Sequence, residues 1–242
     1  MASRTTPARS TYHHGALREA LVRAGLDLAR GAGAEAIVLR EATRRVGVSA
    51  RAAYRHFADR EALVHAVAQE ALAKMAAGMA RRQRGARTAA DLLRGVGEGY
   101  IAFALDEPGW FDVAVRAMPD MLSATPAVPP PTGPDATGGS GPTGEAAPPT
   151  DARDGARNTA TSVDAADRSP CGLLLGALAG LVREGALAPD RLPEAAVTCW
   201  SGVHGFAVLA SRGPLSRAPR PVIDEYARRH VRALVAAVTS GR

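Results

Sequence analysis

The sequence has only two cysteines, Cys171 and Cys199, and it lacks any long run of uncharged apolar residues. Two cysteines cannot form a disulfide framework, which excludes the small disulfide-stapled secreted proteins. No apolar run reaches the roughly 18 residues that a membrane-spanning helix needs. The polar N-terminus also lacks the apolar core of a secretion signal. We therefore expect a cytoplasmic protein with no membrane partner.

Signals for β-strands are nearly absent as well. No stretch of Val, Ile, Thr and aromatic residues alternates with polar residues at a period of two. Hydrophobic residues make up 46% of the chain and aromatic residues only 4%, so that Ala and Leu supply most of the core. Because Ala and Leu favour helices, the composition predicts an all-α fold.

Motifs for catalysis or metal binding are also missing. There is no G-x-S-x-G elbow for a nucleophilic serine. Residues 31–36 match G-x-G-x-x-A, but they follow a helical pattern rather than a strand, so they fail the context of a dinucleotide site. His13, His14 and the two cysteines lack metal-ligand spacing. We predict no catalytic residue, no metal and no cofactor, and hence no enzyme; a redox pair of Cys171 and Cys199 is a lesser alternative.

Positive charge is present, and it is concentrated at one end. The net charge is +6, and residues 1–60 carry eleven arginines against five acidic residues, so the remainder of the chain is balanced. Such a distribution is typical of a protein that binds a polyanion. The alternative is an arginine-rich genome that fills solvated faces, and it would spread the charge over the whole chain. We therefore favour a nucleic acid as the partner.

Residues 39–63 read as two short helices around a tight turn. Gly47 ends the first helix and gives the turn its open backbone, and the Ser49 hydroxyl can cap the second. The apolar positions that face a common core are Val46, Val48, Ala53 and Phe57. The positions left outside are Arg44, Arg45, Arg51, Tyr54 and Arg55. A short helix presented on such a turn fits the DNA major groove.

Helical periodicity predicts the other elements. The helices are expected near residues 16–30, 39–46, 50–57, 59–82, 89–105, 110–118, 173–183, 193–212 and 222–239. Residues 1–11 are polar and are expected to be a disordered arm. Residues 124–169 are expected to be a disordered insertion, because residues 124–150 contain eight prolines and five glycines and cannot bury enough surface to fold.

The helix over residues 193–212 is apolar nearly all round, and the last helix carries a broad apolar stripe. A helix that is apolar on every side must be covered on every side. These two helices have more apolar surface than one chain can cover, so we expect a homodimer.

Several of these residues resemble the DNA-binding domain of the tetracycline-repressor (TetR) family. The matching residues are Gly47-Val48-Ser49, Tyr54, His56-Phe57 and Glu61-Ala62-Leu63, with Gly15 to Leu21 upstream. The resemblance implies a three-helix helix-turn-helix DNA-binding domain over residues 12–75, with the motif itself at about 38–57. It implies a C-terminal helical ligand-binding and dimerisation domain over residues 76–242, interrupted by the insertion, with the last two helices at the dimer interface. The pattern Trp200-x-x-x-His204-Gly205 is similar to the Trp-His-Gly (WHG) subclass of that domain.

The resemblance also implies which residues contact double-stranded DNA. Phosphate contacts are implied for Ser49, Tyr54, His56 and Arg60, and further backbone contacts for Arg40 and Thr43. Base contacts are implied for Arg51 and Ala52. Arg55 is also expected to contact DNA. Arg51 can make a bidentate pair with guanine. The chain departs from the family at residue 60, which is usually Lys, and at residue 43, which is usually Ala.

Ligand pockets in such regulators lie between the helices of the C-terminal domain. The candidate lining residues are Tyr100, Phe103, Trp110, Phe111, Met118, Trp200 and His204. Trp200 and His204 are one helical turn apart and share a face. The alternative is that these residues are ordinary members of the core.

The sequence thus predicts a sequence-specific DNA-binding transcriptional regulator. The resemblance implies a repressor that binds a palindromic operator as a homodimer and responds to a small apolar effector. Two alternatives are a non-specific architectural DNA-binding protein and, less favoured, an enzyme that uses the C-terminal cavity.

Overall fold

The turn between the second and third helices forms as the local sequence predicts. The structure, a computed structural model, describes residues 13–118 and 168–240. Gly47 adopts the left-handed conformation with a φ of 74° and ends the second helix, because only glycine takes this conformation without a steric cost. The Ser49 hydroxyl accepts a hydrogen bond from the Ala52 amide at 3.3 Å and caps the third helix. These two residues set the angle at which the third helix leaves the turn.

The described residues form nine α-helices and no strand, which confirms the predicted all-α fold. The helices are α1 (His13–Ala32), α2 (Leu39–Val46), α3 (Ala50–Tyr54), α4 (Arg60–Arg82), α5 (Ala89–Asp106), α6 (Pro108–Arg116), α7 (Pro170–Arg183), α8 (Leu192–Ser211) and α9 (Arg220–Thr239). Short 3-10 turns lie at Gly33–Ala36, Pro189–Arg191 and Pro214–Arg217. The predicted arm over residues 1–11 and nearly all of the predicted insertion over 124–169 lie outside the described residues.

Helices α1 to α3 and the first part of α4 pack around a small apolar core. Leu21, Phe57 and Leu63 are almost fully buried there, as is Ala53 on the inner side of α3. Helix α3 ends at Tyr54 rather than at the expected residue 57. Phe57 has to turn inward to reach this core, so the chain leaves the helix before it.

Helix α4 joins this N-terminal unit to the rest of the chain. The Asp59 carboxylate caps α4 by accepting a hydrogen bond from the Ala62 amide at 2.7 Å, as its sequence position predicts. Leu63, Val67 and Met75 lie on the buried side of α4 in one continuous core. The predicted domain boundary near residue 75 therefore falls within a single helix, and the two parts share that helix.

Helix α5 is the centre of the C-terminal part. It packs against α4, α6, α7, α8 and α9, and its Tyr100 side chain is almost fully buried. Two hydroxyls cap helices in this part, since Thr88 accepts from the Asp91 amide and Ser169 accepts from the Gly172 amide. None of the helices in the described part of the chain is long and apolar enough to cross a membrane.

Candidate DNA-reading surface and ligand cavity

The outer side of the α2–α3 turn presents a cluster of polar and cationic side chains. We call this cluster the α3 surface; it comprises Arg40, Ser49, Arg51, Tyr54 and Arg55, all of which are exposed. Tyr54 is 59% exposed, although it is one residue from the fully buried Ala53. The five-residue helix therefore divides sharply, with its small residue in the core and its long polar residues outside. This division leaves several hydrogen-bond donors free to meet an anionic partner.

Thr43 does not lie on the α3 surface. Its side chain is only 4% exposed, and its hydroxyl donates a hydrogen bond to the Arg40 carbonyl at 2.7 Å. The implied DNA contact of Thr43 is therefore not retained. The position faces the core, where the hydroxyl is satisfied by the preceding turn of its own helix.

Arg60 is used within the fold. Its guanidinium donates to the Ile37 carbonyl at 2.8 Å, to the Ala34 carbonyl at 2.9 Å and to the Glu61 carboxylate at 2.7 Å. Arg60 thereby holds the turn that precedes α2 against the start of α4. Its contact with a DNA phosphate stays a prediction, as do those of the half-buried Ala52 and His56.

Glu41 was absent from the sequence prediction, and it neutralises part of the α2 charge. Arg44 donates two hydrogen bonds to the Glu41 carboxylate, at 2.8 and 2.7 Å, and Arg45 donates one at 3.3 Å. The hydrogen bond from Arg44 is the main cause that lowers the pKa of Glu41 to about 2. The spacing of three and four residues between these charges was the available signal. Because Glu41 neutralises part of the charge on α2, the remaining positive charge of the N-terminal unit lies toward α3.

Four of the predicted ligand-site residues form one aromatic cluster. The Tyr100 ring lies edge-on to Phe111 at 5.5 Å and to Trp200 at 5.4 Å between ring centroids. Trp200 and His204 are stacked in parallel at 6.2 Å. The structure thus brings α5, α6 and α8 together through Tyr100, Phe111, Trp200 and His204, as the sequence analysis suggested for these four.

A hydrogen bond at 2.9 Å joins the Tyr100 hydroxyl to Nδ1 of His204. Burial raises the pKa of Tyr100 and lowers the pKa of His204. Both shifts favour the neutral forms, because burial penalises a charged group. The cluster is therefore uncharged near neutral pH.

A cavity beside this cluster has a volume of about 20 Å³, lined mainly by apolar side chains. The lining residues are Met79, Leu93, Val96, Gly97, Tyr100, Pro170, Leu174, Cys199, Trp200, Val203, Val231, Leu234 and Val235. Cys199 has a pKa raised to about 11 by burial, so its thiol is protonated. This volume is close to that of a single water. A ligand of ordinary size would need about 300 Å³ or more, and hence a movement of the helices.

The comparisons with known proteins agree with this architecture. Residues 145–234 match the protein family described as "Tetracyclin repressor-like, C-terminal domain". This part of the chain is therefore similar to the C-terminal domain of tetracycline-repressor-like proteins. A regulatory protein of that family from Rhodococcus RHA1 is 15% identical and has a TM-score of 0.54, over 92% of this chain and 96% of its own. A protein of unknown function from Rhodococcus sp. RHA1 is 20% identical with a TM-score of 0.61, over 96% and 100% of the two chains.

No curated protein matches the sequence. The structural likenesses stand at low identity and show the fold alone. The fold of the chain is nevertheless similar to that of a TetR-family regulatory protein along nearly its whole length.

The structure separates the other predicted ligand residues from the aromatic cluster. The Trp110 indole N–H donates to the Leu26 carbonyl at 2.8 Å, and the Arg30 guanidinium lies 4.7 Å from the centre of its ring. Phe103 and Trp110 line a different, surface groove together with Lys74. Met118 is half-buried just beyond the end of α6. Trp110 therefore belongs to the contact between α6 and α1 rather than to the cavity wall.

Helices α8 and α9 expose large apolar side chains in the single chain. The sequence analysis expected these two helices to carry more apolar surface than one chain can cover. The exposed residues are Val197, Val208, Leu209, Val222 and Tyr226. Within residues 13–118 and 168–240, no group of three or more His, Cys, Asp or Glu residues is arranged to hold a metal ion.

Proposed function

We propose that this protein is a sequence-specific DNA-binding transcriptional regulator of the TetR type, which acts as a homodimeric repressor and releases DNA on binding a small apolar ligand. The observation that carries the proposal is the α3 surface. Arg51 and Arg55 project from a short helix capped by Ser49, and the excess positive charge of the chain lies in the same unit. Exposed arginines on a short helix suit both the phosphates and the guanine edges of the major groove.

The apolar residues of α8 and α9 support the homodimer. Leu209 in α8 is 45% exposed and Tyr226 in α9 is 57% exposed. A second copy of the chain would remove these side chains from water. A two-fold dimer would also present two α3 helices about one DNA turn apart, roughly 34 to 36 Å, and so read a palindrome.

The aromatic cluster and its cavity support the response to a ligand. The neutral Tyr100–His204 pair and the apolar lining favour an uncharged, largely apolar molecule with one polar group. Because the cavity has a volume of only about 20 Å³, binding of such a molecule would move α8 relative to α5. The coupling between the ligand and DNA would then be typical of allosteric proteins, at about 1 to 3 kcal/mol. A regulator of this kind acts on chromosomal DNA, which places it in the cytoplasm.

The test is a selection of genomic DNA fragments by the full-length protein, repeated with excess random duplex and at raised salt. We expect one palindromic motif to survive competition, with an affinity that falls as salt rises because phosphate contacts release counterions. The double variant Arg51→Ala, Arg55→Ala should lose the motif. The matched control, Arg84→Ala, removes an exposed arginine on the α4–α5 connection and should keep it.

Equal binding to all duplexes, with a collapse at raised salt, would instead identify a non-specific architectural protein. Binding that is insensitive to salt would contradict the role of the arginines.

A further inference from the structure

Helix α6 lies between the ligand cavity and the N-terminal unit. We call this unit, which consists of α1 to α3 and the first part of α4, the DNA-reading unit. On one side its Phe111 ring contacts Tyr100 and His204. On the other side its first turn packs against the C-terminal end of α1, so closely that a Cβ atom at Gly109 would overlap the carbonyl oxygens of Ala29 and Arg30. Helix α6 therefore contacts both the aromatic cluster and α1 of the DNA-reading unit.

The carboxylate of Asp112 on α6 is shared between two partners. Its Oδ1 accepts a hydrogen bond from the Arg212 guanidinium at 2.7 Å, and its Oδ2 accepts one from the Ala34 amide at 3.1 Å. Arg212 is the residue that ends α8, and it also donates to the Pro108 carbonyl at 2.7 Å. Ala34 belongs to the turn that leads into α2. One side chain thus connects the end of α8 to the entrance of the DNA-reading unit.

The same turn is held from its other side by α4. The Ala34 carbonyl accepts a hydrogen bond from Arg60 at 2.9 Å, and the Ile37 carbonyl accepts another at 2.8 Å. The backbone of Ala34 is therefore fixed through both its N–H and its C=O. The chain enters α2 two residues after Ile37, so this fixed turn sets the position from which α2 and α3 extend.

Gly33 allows the carboxylate to come this close. Its φ is 68°, in the left-handed region, and a Cβ atom at this position would overlap the Asp112 carboxylate. The contact thus depends on a glycine in the turn as well as on the acid in α6. Neither Gly33 nor Asp112 is among the expected DNA contacts or among the residues that line the cavity.

We propose that Asp112 is a positioning residue, which ties the end of α8 to the Gly33–Ala34 turn and so fixes the orientation of the α3 surface. The Arg212 and Asp112 side chains are 46% and 25% exposed, and ion pairs at such positions are weak. A weak ion pair between Asp112 and Arg212 can be broken by a modest shift of α8. The consequence for regulation rests on the proposed function, whereas the positioning role itself needs no DNA.

The test uses the full-length protein with the variants Asp112→Asn, Arg212→Gln and the double variant. The control is Arg220→Gln, which breaks a pair with Asp106 at 2.7 Å in which the arginine side chain is also 46% exposed. The first measurement is hydrogen exchange of the backbone amides without DNA. We expect exchange in residues 33–54 to become roughly three- to tenfold faster in each single variant. The double variant should be no faster than the faster single one, because the two residues form one connection.

The second measurement is affinity for the selected operator and for a random duplex at the same salt. Each single variant should bind the operator about five- to tenfold more weakly, with binding to the random duplex unchanged, because orientation matters only where bases are read. Unchanged exchange in residues 39–54, additive effects in the double variant, or an equal effect of Arg220→Gln would overturn the proposal. If no operator is found, the proposed function fails, and the exchange data alone decide the role of Asp112.

Discussion

The arginines of the DNA-reading unit differ in what they contact. Arg44 and Arg45 bind Glu41, and Arg60 binds backbone carbonyls. Arg51 and Arg55 make no ion pair with any residue that the structure describes; Arg51 is exposed on α3 and Arg55 is exposed just beyond its last residue. Among these five arginines, those with unused donors therefore lie at the helix that is expected to enter the major groove. Residue type alone would rank all five arginines equally.

Arg51 is expected to carry sequence discrimination. Replacing it with Ala should weaken operator binding by about 1 to 3 kcal/mol, because a bidentate contact with a guanine is lost. Specificity should relax at one base pair in each half-site, while the slope of affinity against salt should change little. Titrations of the operator and of single-base variants would measure both effects.

Arg40→Ala is the comparison for Arg51→Ala. Arg40 is exposed at the start of α2, where a phosphate contact is expected. Its loss should weaken binding to all duplexes alike and reduce the salt slope by about one. Identical behaviour of the two variants would contradict the separation of base and phosphate contacts.

His204 should make the stability of the fold depend on pH. Burial lowers its pKa from the ordinary value of 6.5, so the unfolded chain takes up this proton at a higher pH than the folded one. The contribution of His204 is therefore complete above pH 6.5 and decreases as the pH falls below it. In His204→Gln this decrease should disappear. Urea unfolding would measure the free energy of unfolding of both proteins across this pH range. The difference between the two free energies should become smaller as the pH falls, and a constant difference would contradict the buried neutral imidazole.

At the scale of elements, the junction between α1 and α2 contains two glycines that differ in backbone conformation and in the space around them. Gly31 lies within α1 and has open space around its Cα, whereas Gly33 has a φ of 68° and lies against Asp112. Gly31→Ala should stabilise the protein by about 0.5 to 1 kcal/mol, because alanine favours the helix. Gly33→Ala should destabilise it by about 1 to 3 kcal/mol, through its backbone conformation and the clash. Chemical unfolding of the pair measures this contrast, and equal effects would contradict the described turn.

Local features of this fold could be read from the sequence, and contacts between distant elements could not. Gly47, Ser49 and Asp59 act on residues within three positions of themselves, so their roles followed from residue type and spacing. The burial of Thr43 depends on how α2 rotates against the core. Arg60 and Asp112 bind partners 23 to 100 residues away, which no periodicity indicates.

The candidate ligand site shows the same limit. Trp200 and His204 share one face of a helix by their spacing, and that face does meet Tyr100. Trp110 and Phe111 are adjacent in the sequence but point to opposite sides of α6. Only Phe111 reaches the cluster, because Trp110 turns toward α1 to donate its N–H to the Leu26 carbonyl. Which of two neighbouring aromatic residues joins the cluster was decided by packing.

At the scale of the whole molecule, charge and apolar surface lie at different ends. The excess charge lies in residues 1–60, whereas the exposed apolar side chains of α8 and α9 lie beyond residue 190. A protein that dimerises through one end leaves the other end free for a polyanion. In the proposed homodimer, this separation would let two copies join without bringing their cationic surfaces together.

The last two helices are therefore expected to carry both dimerisation and operator affinity. Leu209→Glu should yield a monomer at micromolar concentration, because a stable interface cannot accept an unpaired buried carboxylate. The monomer should lose most of its operator affinity, since one α3 helix reads only half of a palindrome. Ala73→Glu on the exposed side of α4 changes the net charge equally and should remain dimeric. Sedimentation and operator titration of both variants give the answer. A dimeric Leu209→Glu protein would place the interface elsewhere, and a monomer with full operator affinity would contradict the need for two copies.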